Sequence, residues 1–198
     1  MSAFQEILDY WFAGLEAGDT QALTKRWFMG GAEQDAELQA RFGALLAEAE
    51  AGGLQGWEHE PGSLLALVIL LDQFSRNLHR GSGRAFANDV RAVGLARKAL
   101  DLGWDRQFPP LQRVFFYLPF EHSEEIEDQH RSIELFESLV SEASAELRGM
   151  LAGYLDYARR HRDVVVRFGR FPHRNARLGR SSTPEEEAFL QEPGSSFG

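Results

Sequence analysis

Hydrophobic residues recur at helical spacing along most of the chain. Leu38, Phe42, Leu45 and Ala49 are separated by four, three and four positions, which places their side chains on one face of a helix. After the first periodic stretch, Gly14 and Gly18 mark a helix end, and Trp27 and Phe28 follow in a short segment closed by Gly30 and Gly31. The pattern predicts helices over about 3–13, 33–50, 64–80, 84–101, 111–118, 126–140, 145–168 and 184–191.

The longest apolar run, Leu64–Leu71, has eight consecutive hydrophobic residues and no alternation of polar and apolar positions. A helix that is apolar on every side lies buried in a core. The run continues into a polar segment at 72–77. Ser63, directly before the run, is predicted to be the N-cap of the helix. We therefore expect a central helix and not a strand. Its predicted core residues include Leu67, Ile69 and Leu70.

Capping signals mark several predicted helix ends. Ser2 with Gln5, and Thr183 with Glu186, have the spacing of a capping box, in which two side chains satisfy backbone N–H groups reciprocally. Pro119 is predicted to stop or kink the fifth helix, because proline lacks the N–H that a helix interior uses. The residues predicted to face inward on the fourth and sixth helices are Phe86, Val90, Val93, Ala96, Leu100, Ile126, Ile133, Phe136 and Val140.

Seven or eight helices, with no convincing strand pattern, indicate an all-α protein. Short connections favour antiparallel neighbours, so the predicted architecture is a stack of antiparallel helical hairpins. No linker-like change in composition divides the chain. We therefore predict a single domain over residues 1–198, with a frayed tail at 190–198.

The composition is that of a globular protein, since 43% of the 198 residues are hydrophobic and such a fraction can build a core. The chain contains no cysteine. Its absence excludes disulfides, thiolate catalysis and cysteine-ligated metal sites, and it fits a reducing cytosol. We expect a cytoplasmic protein.

Two classes of partner are disfavoured. An apolar run of eight residues is far shorter than the roughly 20 that a membrane span needs, and the N-terminus has no export signal. The net charge of −9 argues against nucleic acid, because phosphate contact favours a basic surface. We therefore expect neither a membrane nor a nucleic acid as partner, and the oligomeric state stays open.

One segment of this acidic chain is strongly basic. Residues 159–180 contain eight arginines and a single acid, Asp163, which gives a formal charge of +7. In one interpretation these arginines pair with the protein's own acids and fix the C-terminal segment in place. In the other, some of them face a cleft and hold an anion, because the planar guanidinium fork fits a carboxylate or a phosphate.

Four segments of the chain resemble the family of uncharacterised proteins known as DUF924. They are LDYWF at 8–12, LDQFSRN at 71–77 followed by Arg80-Gly81, YLPFEHSE at 117–124, and RFGRFPHRNARLGRSST at 167–183. The one departure from the family pattern is Ser75, where the family usually has proline. The resemblance implies an all-α, TPR-like helical fold but no reaction, because the family has no known function. TPR-like stacks often bind peptides in a concave groove.

The first candidate motif is the polar end of the central helix. Asp72 and Arg76 are four residues apart and can pair on one helical face. Polar side chains that follow eight buried positions must reach solvent or be fully hydrogen-bonded. This motif is therefore either part of a ligand-binding site or a buried network that locks helices together. Its candidate ligand-binding residues are Asp72, Gln73, Arg76 and Asn77.

The second candidate motif surrounds His122. Acids at a helix start are favoured by the helix dipole, which accounts for Glu124 and Glu125 without any further function. The helix dipole does not account for His122. A histidine between carboxylates can act as a general base or a metal ligand. The spacing matches no common metal-binding pattern, so we predict no metal. The catalytic candidates are Glu121, His122 and Glu124.

The third candidate motif is the proline-fixed loop that follows the long seventh helix. Loops held by a rigid scaffold often carry function. In the structural alternative, Asn175 caps a turn and the arginines bind acids and helix C-termini. His161, among arginines on the long helix, is interpreted as an exposed or stacking residue. The candidate ligand-binding residues of the loop are Arg170, His173, Arg174 and Asn175, with His173 also a catalytic candidate.

We expect the three motifs to meet at one site. The favoured function is a helical binding or scaffold protein whose polar pocket holds a small anion or the acidic end of a peptide, without a cofactor. The alternative is a hydrolase-like enzyme that uses His122 with Glu121 or Glu124 as acid and base, and arginines as an anion clamp. A third interpretation is a structural interaction protein with no small-molecule site.

Overall fold

The computed structural model describes residues 2–195, and within that range the chain forms nine helices and no β-strand. In chain order the helices are α1 (Ala3–Trp11), α2 (Thr20–Phe28), α3 (Ala32–Glu50), α4 (61–78), α5 (Asp89–Asp101), α6 (Pro110–His122), α7 (Ile126–Glu142), α8 (Ala145–Phe168) and α9 (Pro184–Phe189). None of these helices is both long and apolar enough to cross a membrane. The prediction of an all-α fold is confirmed.

The described residues divide into two compact units. The first comprises residues 2–80 and 84–116, and the second comprises residues 81–83 and 117–195. Helix α6 gives its first part to the first unit and its last part, 117–122, to the second. The single domain inferred from the sequence remains a prediction.

The core of the first unit is built around helix α4. Its apolar run, Leu64–Leu71, is completely buried, as the sequence predicts. Large rings pack edge-on around it: the Trp11 ring lies 5.3 Å from that of Phe74 and 5.7 Å from that of Phe115. Edge-to-face pairs of this kind add to the stabilisation from burial.

Helix α4 changes its hydrogen-bonding pattern in the middle. It is α-helical over Pro61–Ile69, makes a π-helical turn over Leu70–Phe74, and is α-helical again over Ser75–Leu78. A π turn widens the helix by one residue and often occurs at functional sites. Here it lies where the apolar run gives way to the polar motif.

The second unit contains the α7–α8 hairpin, whose helices are joined by residues 143–144. Helix α8 ends at Gly169, whose φ of 67° is in the left-handed region that glycine adopts without strain. Phe171 lies beyond this turn and packs with Val164 and Val165 in the core of the unit. The capping box of Thr183 and Glu186 at the start of α9 is present as predicted.

Several sequence predictions of helix boundaries are wrong. The pattern does not predict α2, because its inward face has only two buried apolar residues, Leu23 and Trp27. Ser2 makes no capping bond with its side chain. Ser63 is not an N-cap, since α4 already begins at Pro61 and the Ser63 hydroxyl donates to the carbonyl of Trp57.

Helix α6 does not stop at Pro119 but continues to His122. Its last turn is supported from α7 by a side chain, because the Gln129 amide donates to the carbonyl oxygens of Glu121 and Ser123 at 2.7 and 2.6 Å. These bonds satisfy helix-end carbonyls that would otherwise need water.

Two predicted inward faces are also wrong. Val90 is 84% exposed, and the buried face of α5 is formed by other residues, most of them small. Ile126 is 39% exposed, and the buried face of α7 begins with the polar residues that follow it. The buried residues of α5 are Ala92, Val93, Leu95, Ala96 and Ala99, and those of α7 are Asp128, Gln129, Ser132, Leu135, Phe136 and Leu139.

The predicted tail at 190–198 extends past the described residues, which end at Ser195. Up to that point the chain forms turns. The Ser195 hydroxyl donates to the carbonyl of Leu190, and Arg160 donates to the carbonyl of Gly194.

Candidate functional site

The first polar motif lies in the first unit, on and just after the π turn of α4. Asp72 and Gln73 are both buried there. The Gln73 amide donates to one carboxylate oxygen of Asp72 at 2.6 Å, and Arg76 lies 3.1 Å from the other. Arg76 also donates from both terminal nitrogens to Asp89 on α5, at 2.9 and 3.0 Å. The motif therefore joins α4 to α5.

Asn77 extends this network to α3. Its amide donates to Asp35 at 2.9 Å, and Arg80 donates to both oxygens of the same carboxylate. Burial raises the pKa of Asp35, but the hydrogen bonds from Arg80 and Asn77 outweigh burial and hold the pKa below its usual value. An ionised Asp35 thus ties the end of α4 to the start of α3.

The second unit holds a buried carboxylate–imidazole pair. Glu121, on the last turn of α6, and His161, in the middle of α8, are each only 3% exposed. The Nδ1 atom of His161 lies 3.4 Å from Oε1 of Glu121 and 2.9 Å from the carbonyl oxygen of Tyr157. The structure thus pairs Glu121 with His161. An exposed position for His161 is wrong, but its ring does pack against other rings, 5.8 Å from that of Tyr157 and 5.5 Å from that of Phe171.

His161 is electrically neutral at neutral pH. Burial lowers the pKa of its imidazole well below the usual value, and the nearby charges of His122, Arg174 and His173 lower it further. The hydrogen bond to the Tyr157 carbonyl acts in the opposite direction and is weaker than burial. A neutral histidine has one ring N–H, and here that proton is on Nδ1, because a carbonyl oxygen can only accept.

Phe171 is the centre of a cluster of basic side chains. Its ring lies 5.5 Å from that of His161 and 5.6 Å from that of His173, and the Arg174 guanidinium carbon lies 4.4 Å from its centroid. The His122 ring is 6.3 Å from the His161 ring. We call these four basic residues, His122, His161, His173 and Arg174, together with Phe171 the histidine cluster. It brings residues of the second and third motifs together within one unit.

The other arginines of the third motif bind acids of their own unit. Arg170 donates to both carboxylate oxygens of Glu186 at 2.7 and 2.8 Å. Those bonds are the main reason that the pKa of Glu186 falls to about 2, against an opposing effect of burial. The Asn175 amide also donates to Glu186, at 3.2 Å. Arg170 and Asn175 thus hold α9 against the loop.

Glu124, in the short segment between α6 and α7, has a similar role. Arg180 donates to both of its carboxylate oxygens, and the backbone N–H of Phe171 donates to Oε1 at 2.8 Å. Burial raises the pKa of Glu124, but these hydrogen bonds outweigh it and leave the pKa below its usual value. Glu124 therefore positions Phe171, and through it the histidine cluster.

The α7 helix contributes buried polar atoms to the second unit. Gln129 Oε1 and Ser132 Oγ have no hydrogen-bond partner among the described residues. Buried polar atoms of this kind ordinarily bind an ordered water. No group of three or more histidine, aspartate or glutamate side chains within residues 2–195 is arranged to hold a metal ion.

The sequence of the chain matches a family model over residues 7–194, described as a bacterial protein of unknown function, DUF924. The chain belongs to the DUF924 family. A solved structure of a protein of unknown function from Agrobacterium tumefaciens is 38% identical, with a TM-score of 0.78 over 95% of this chain and 96% of that one. No curated protein matched the chain.

The segments that resemble DUF924 in sequence fall at distinct places in the fold. The segment at 71–77 covers most of the π turn and the end of α4. The segments at 117–124 and 167–183 supply Glu121, His122 and the loop residues of the histidine cluster. His161 lies outside all of them, although its place between Ala158 and Val165 continues the buried stripe of α8. That spacing is the signal by which the sequence could have indicated its burial.

Proposed function

We propose that this DUF924 protein binds a small anion, or the acidic end of a peptide, at the histidine cluster of its second unit. The observation that carries the proposal is that two imidazoles and one guanidinium pack against a single buried phenylalanine, with the ring of a third histidine, His122, beside that of His161. Carboxylate and phosphate oxygens accept strong hydrogen bonds from the N–H groups of imidazole and guanidinium.

Among the basic side chains of the segment, Arg174 is the best candidate for ligand contact. The forks of Arg170 and Arg180 are directed at Glu186 and Glu124. The Arg174 guanidinium lies within the histidine cluster, with its carbon 4.4 Å from the centroid of the Phe171 ring. Its charge contributes to lowering the pKa of His161, as expected of a locally positive environment that also attracts anions.

A hydrolase-like reaction centred on His122 and Glu124 has less support. Glu124 is held ionised by Arg180 and by the N–H of Phe171, so it is poorly suited to donate a proton. Glu121 lies beside His161. The Arg, His and Glu groups therefore favour binding as the primary role.

The proposal includes the setting in which such binding occurs. Hairpins such as α7–α8 are the units from which TPR-like arrays are built, and we propose an array of this type as the scaffold. The cysteine-free sequence fits the cytoplasm as its compartment. The net charge of −9 disfavours nucleic acid and anionic membranes as partners.

Thermal unfolding in phosphate and in chloride, at one fixed ionic strength, tests the proposal. Phosphate should stabilise the wild type by an amount that grows as RT ln(1 + [L]/Kd), which is about 2.7 kcal/mol at one hundred times Kd. Arg174→Met should lose this effect. Arg159→Met is the matched control, because it removes the same charge from a half-exposed side chain that pairs with Glu137.

Two further results decide the outcome. His173→Gln should weaken the stabilisation by phosphate while leaving Arg174 in place. The proposal can therefore still be tested if Arg174→Met fails to fold. A wild type that phosphate stabilises no more than chloride would refute the proposal. So would an equal phosphate effect in the wild type and in His173→Gln.

A further inference from the structure

His161 is a buried histidine whose ring is surrounded by other rings. The residue is 3% exposed, and its ring lies 5.5 Å from that of Phe171, 5.8 Å from that of Tyr157 and 6.3 Å from that of His122. Burial of this kind disfavours a charged imidazole, because the ring gives up the water that would hydrate the charge. In an unfolded segment the same ring takes up a proton at about pH 6.5. The closed fold thus excludes a proton that the open chain binds.

The elements around His161 carry three basic side chains beside their acids. The titratable and charged groups are Glu121 and His122 on α6, Asp128 on the buried face of α7, Tyr157 on α8, and His173 and Arg174 in the loop after α8. Burial, and then the charges of His122, Arg174 and His173, hold the pKa of His161 well below its usual value. The hydrogen bond to the Tyr157 carbonyl acts against them and is weaker than burial. A proton on His161 would therefore repel its three basic neighbours.

The loop that follows α8 covers this ring through Phe171. The Phe171 side chain is completely buried, its N–H donates to Glu124, and its carbonyl accepts from Arg180. Between Gly169 and Thr183 the loop contains only two short 3-10 turns, at Pro172–Arg174 and Ala176–Leu178. Segments with so little regular structure open at a lower free energy than core helices do. The loop can therefore separate from the unit while α7 and α8 stay folded.

We propose that the histidine cluster is an acid-sensitive switch, in which proton uptake by His161 releases Phe171 and the loop at 169–183 from the second unit. The proton comes from solvent, and it binds once the ring is hydrated in the open state. The pKa of His161 is lower in the closed state than in the open chain. The closed state therefore has its full stability above about pH 6.5 and loses it as the pH falls toward the folded pKa.

This switch goes beyond anion binding and needs no ligand. Two carboxylates hold the same loop, since Arg180 donates to Glu124 and Arg170 donates to Glu186. The pKa values of both acids are below their usual value. They stay ionised down to a more acidic pH than the one at which free imidazoles take up protons. The interval between pH 7.5 and pH 5.5 therefore tests the histidines and not the carboxyls.

Amide hydrogen exchange followed by NMR tests the switch, with each rate divided by its intrinsic rate at the same pH. The amides of Phe171, Arg174 and Asn175 are hydrogen-bonded within the loop or to Glu124. In the wild type they should lose at least about tenfold of their protection between pH 7.5 and pH 5.5. That is the ratio for one imidazole with an ordinary pKa in the open state and no charge in the closed state. They should also exchange faster than the buried Leu155 of α8 at both pH values, because the opening is local.

His161→Gln should show a loss of protection about tenfold smaller over the same interval, because its ring no longer titrates. His130→Gln is the matched control, since His130 is exposed on α7, and it should behave as the wild type does. A wild-type loss below about twofold would refute the proposal, since one excluded proton predicts about tenfold. So would an equal loss in the wild type and His161→Gln, or loop amides that exchange only as slowly as Leu155.

The wild type alone gives a second test, which holds if His161→Gln fails to fold. Nitrogen-15 NMR of the histidine rings should show His161 neutral at pH 5.5 in the closed protein. A charged His161 ring at that pH, with the Phe171 amide as protected as at pH 7.5, would refute the switch. Both experiments use buffers without phosphate. Their failure would leave the anion-binding proposal standing, and a missing phosphate effect would leave the switch standing.

Discussion

Arg180 holds Glu124 through both terminal nitrogens of its guanidinium, at 2.6 and 2.9 Å. The two residues are 56 positions apart, so the pair fixes the C-terminal loop to the segment that follows α6. Arg180→Ala should lower the free energy of unfolding by about 2–3 kcal/mol, because it leaves a half-buried carboxylate without its main donor. Urea unfolding at pH 7 measures the difference.

The control for this prediction is Arg162→Ala. Arg162 pairs with its exposed chain neighbour Asp163, and surface pairs contribute about 0–1 kcal/mol. An Arg180 variant as stable as the Arg162 variant would contradict a structural role for the Glu124 pair.

The Glu186 carboxyl should make the protein sensitive to acid. Its pKa is about 2 in the folded protein and about 4.3 in an unfolded chain. The depressed folded value means that its stabilisation is complete above the unfolded pKa and is lost as the pH falls toward 2. The wild type should therefore lose stability between about pH 5 and pH 2 more steeply than Glu186→Gln does.

Denaturant midpoints at intervals across this pH range give the two slopes. Glu187→Gln is the matched control, since Glu187 is exposed on the same turn of α9, and its slope should equal that of the wild type. If Glu186→Gln also keeps the wild-type slope, the acid sensitivity resides in other carboxyls.

Gly83 should not tolerate a side chain. A Cβ atom built at this position would lie 2.5 Å from the backbone carbonyl oxygen of Arg177, which cannot move aside as a flexible side chain can. Gly83→Ala should destabilise the protein by about 1–3 kcal/mol. Gly149→Ala is the control, because that glycine lies in α8 with open space around it and alanine there should stabilise by about 0.5–1 kcal/mol.

Gln129 should be required as an amide donor and not merely as a filler of space. Gln129→Leu leaves buried carbonyls at the end of α6 without a donor and should cost about 2–3 kcal/mol. Gln129→Glu should cost more at pH 7, because it brings a carboxylate against the same carbonyl oxygens. Equilibrium unfolding of both variants decides the order, and a better-tolerated glutamate would contradict this role.

Leu70 and Val90 should respond oppositely to truncation. Leu70 is completely buried in α4, and its replacement by alanine should cost about 2–5 kcal/mol. Val90 is 84% exposed, so Val90→Ala should change stability by less than about 0.5 kcal/mol. A loss below about 1 kcal/mol for Leu70→Ala in denaturant unfolding would show that the core of the first unit tolerates a cavity there.

Much of the helical framework could be predicted from the sequence. Helices α3 and α8 follow from long apolar stripes, and Gly169 ends α8 where the pattern stops. The faces of α5 and α7 could not be predicted in the same way. Their buried sides include alanines and the polar residues Asp128 and Gln129, which a search for large apolar residues passes over.

The candidate site could be predicted only in part. The resemblance to DUF924 directs attention to His122 and Arg174, which the structure places in one cluster. The pairing of Glu121 with His161 could not be predicted, because the neighbours Arg160 and Arg162 make His161 resemble a surface residue. Contact between residues 40 positions apart depends on how α6 and α8 pack, which local spacing does not encode.

The π turn of α4 also sets the direction in which the residues after it point. A π turn closes its hydrogen bonds five residues apart instead of four, and so takes up one more residue than an α turn. If residues 70–74 wound as a regular α-helix instead, everything after them would be rotated by about 100°. Arg76 and Asn77 would then face away from Asp89 and Asp35. The π turn thus sets the rotational phase on which both ion networks of the first unit depend.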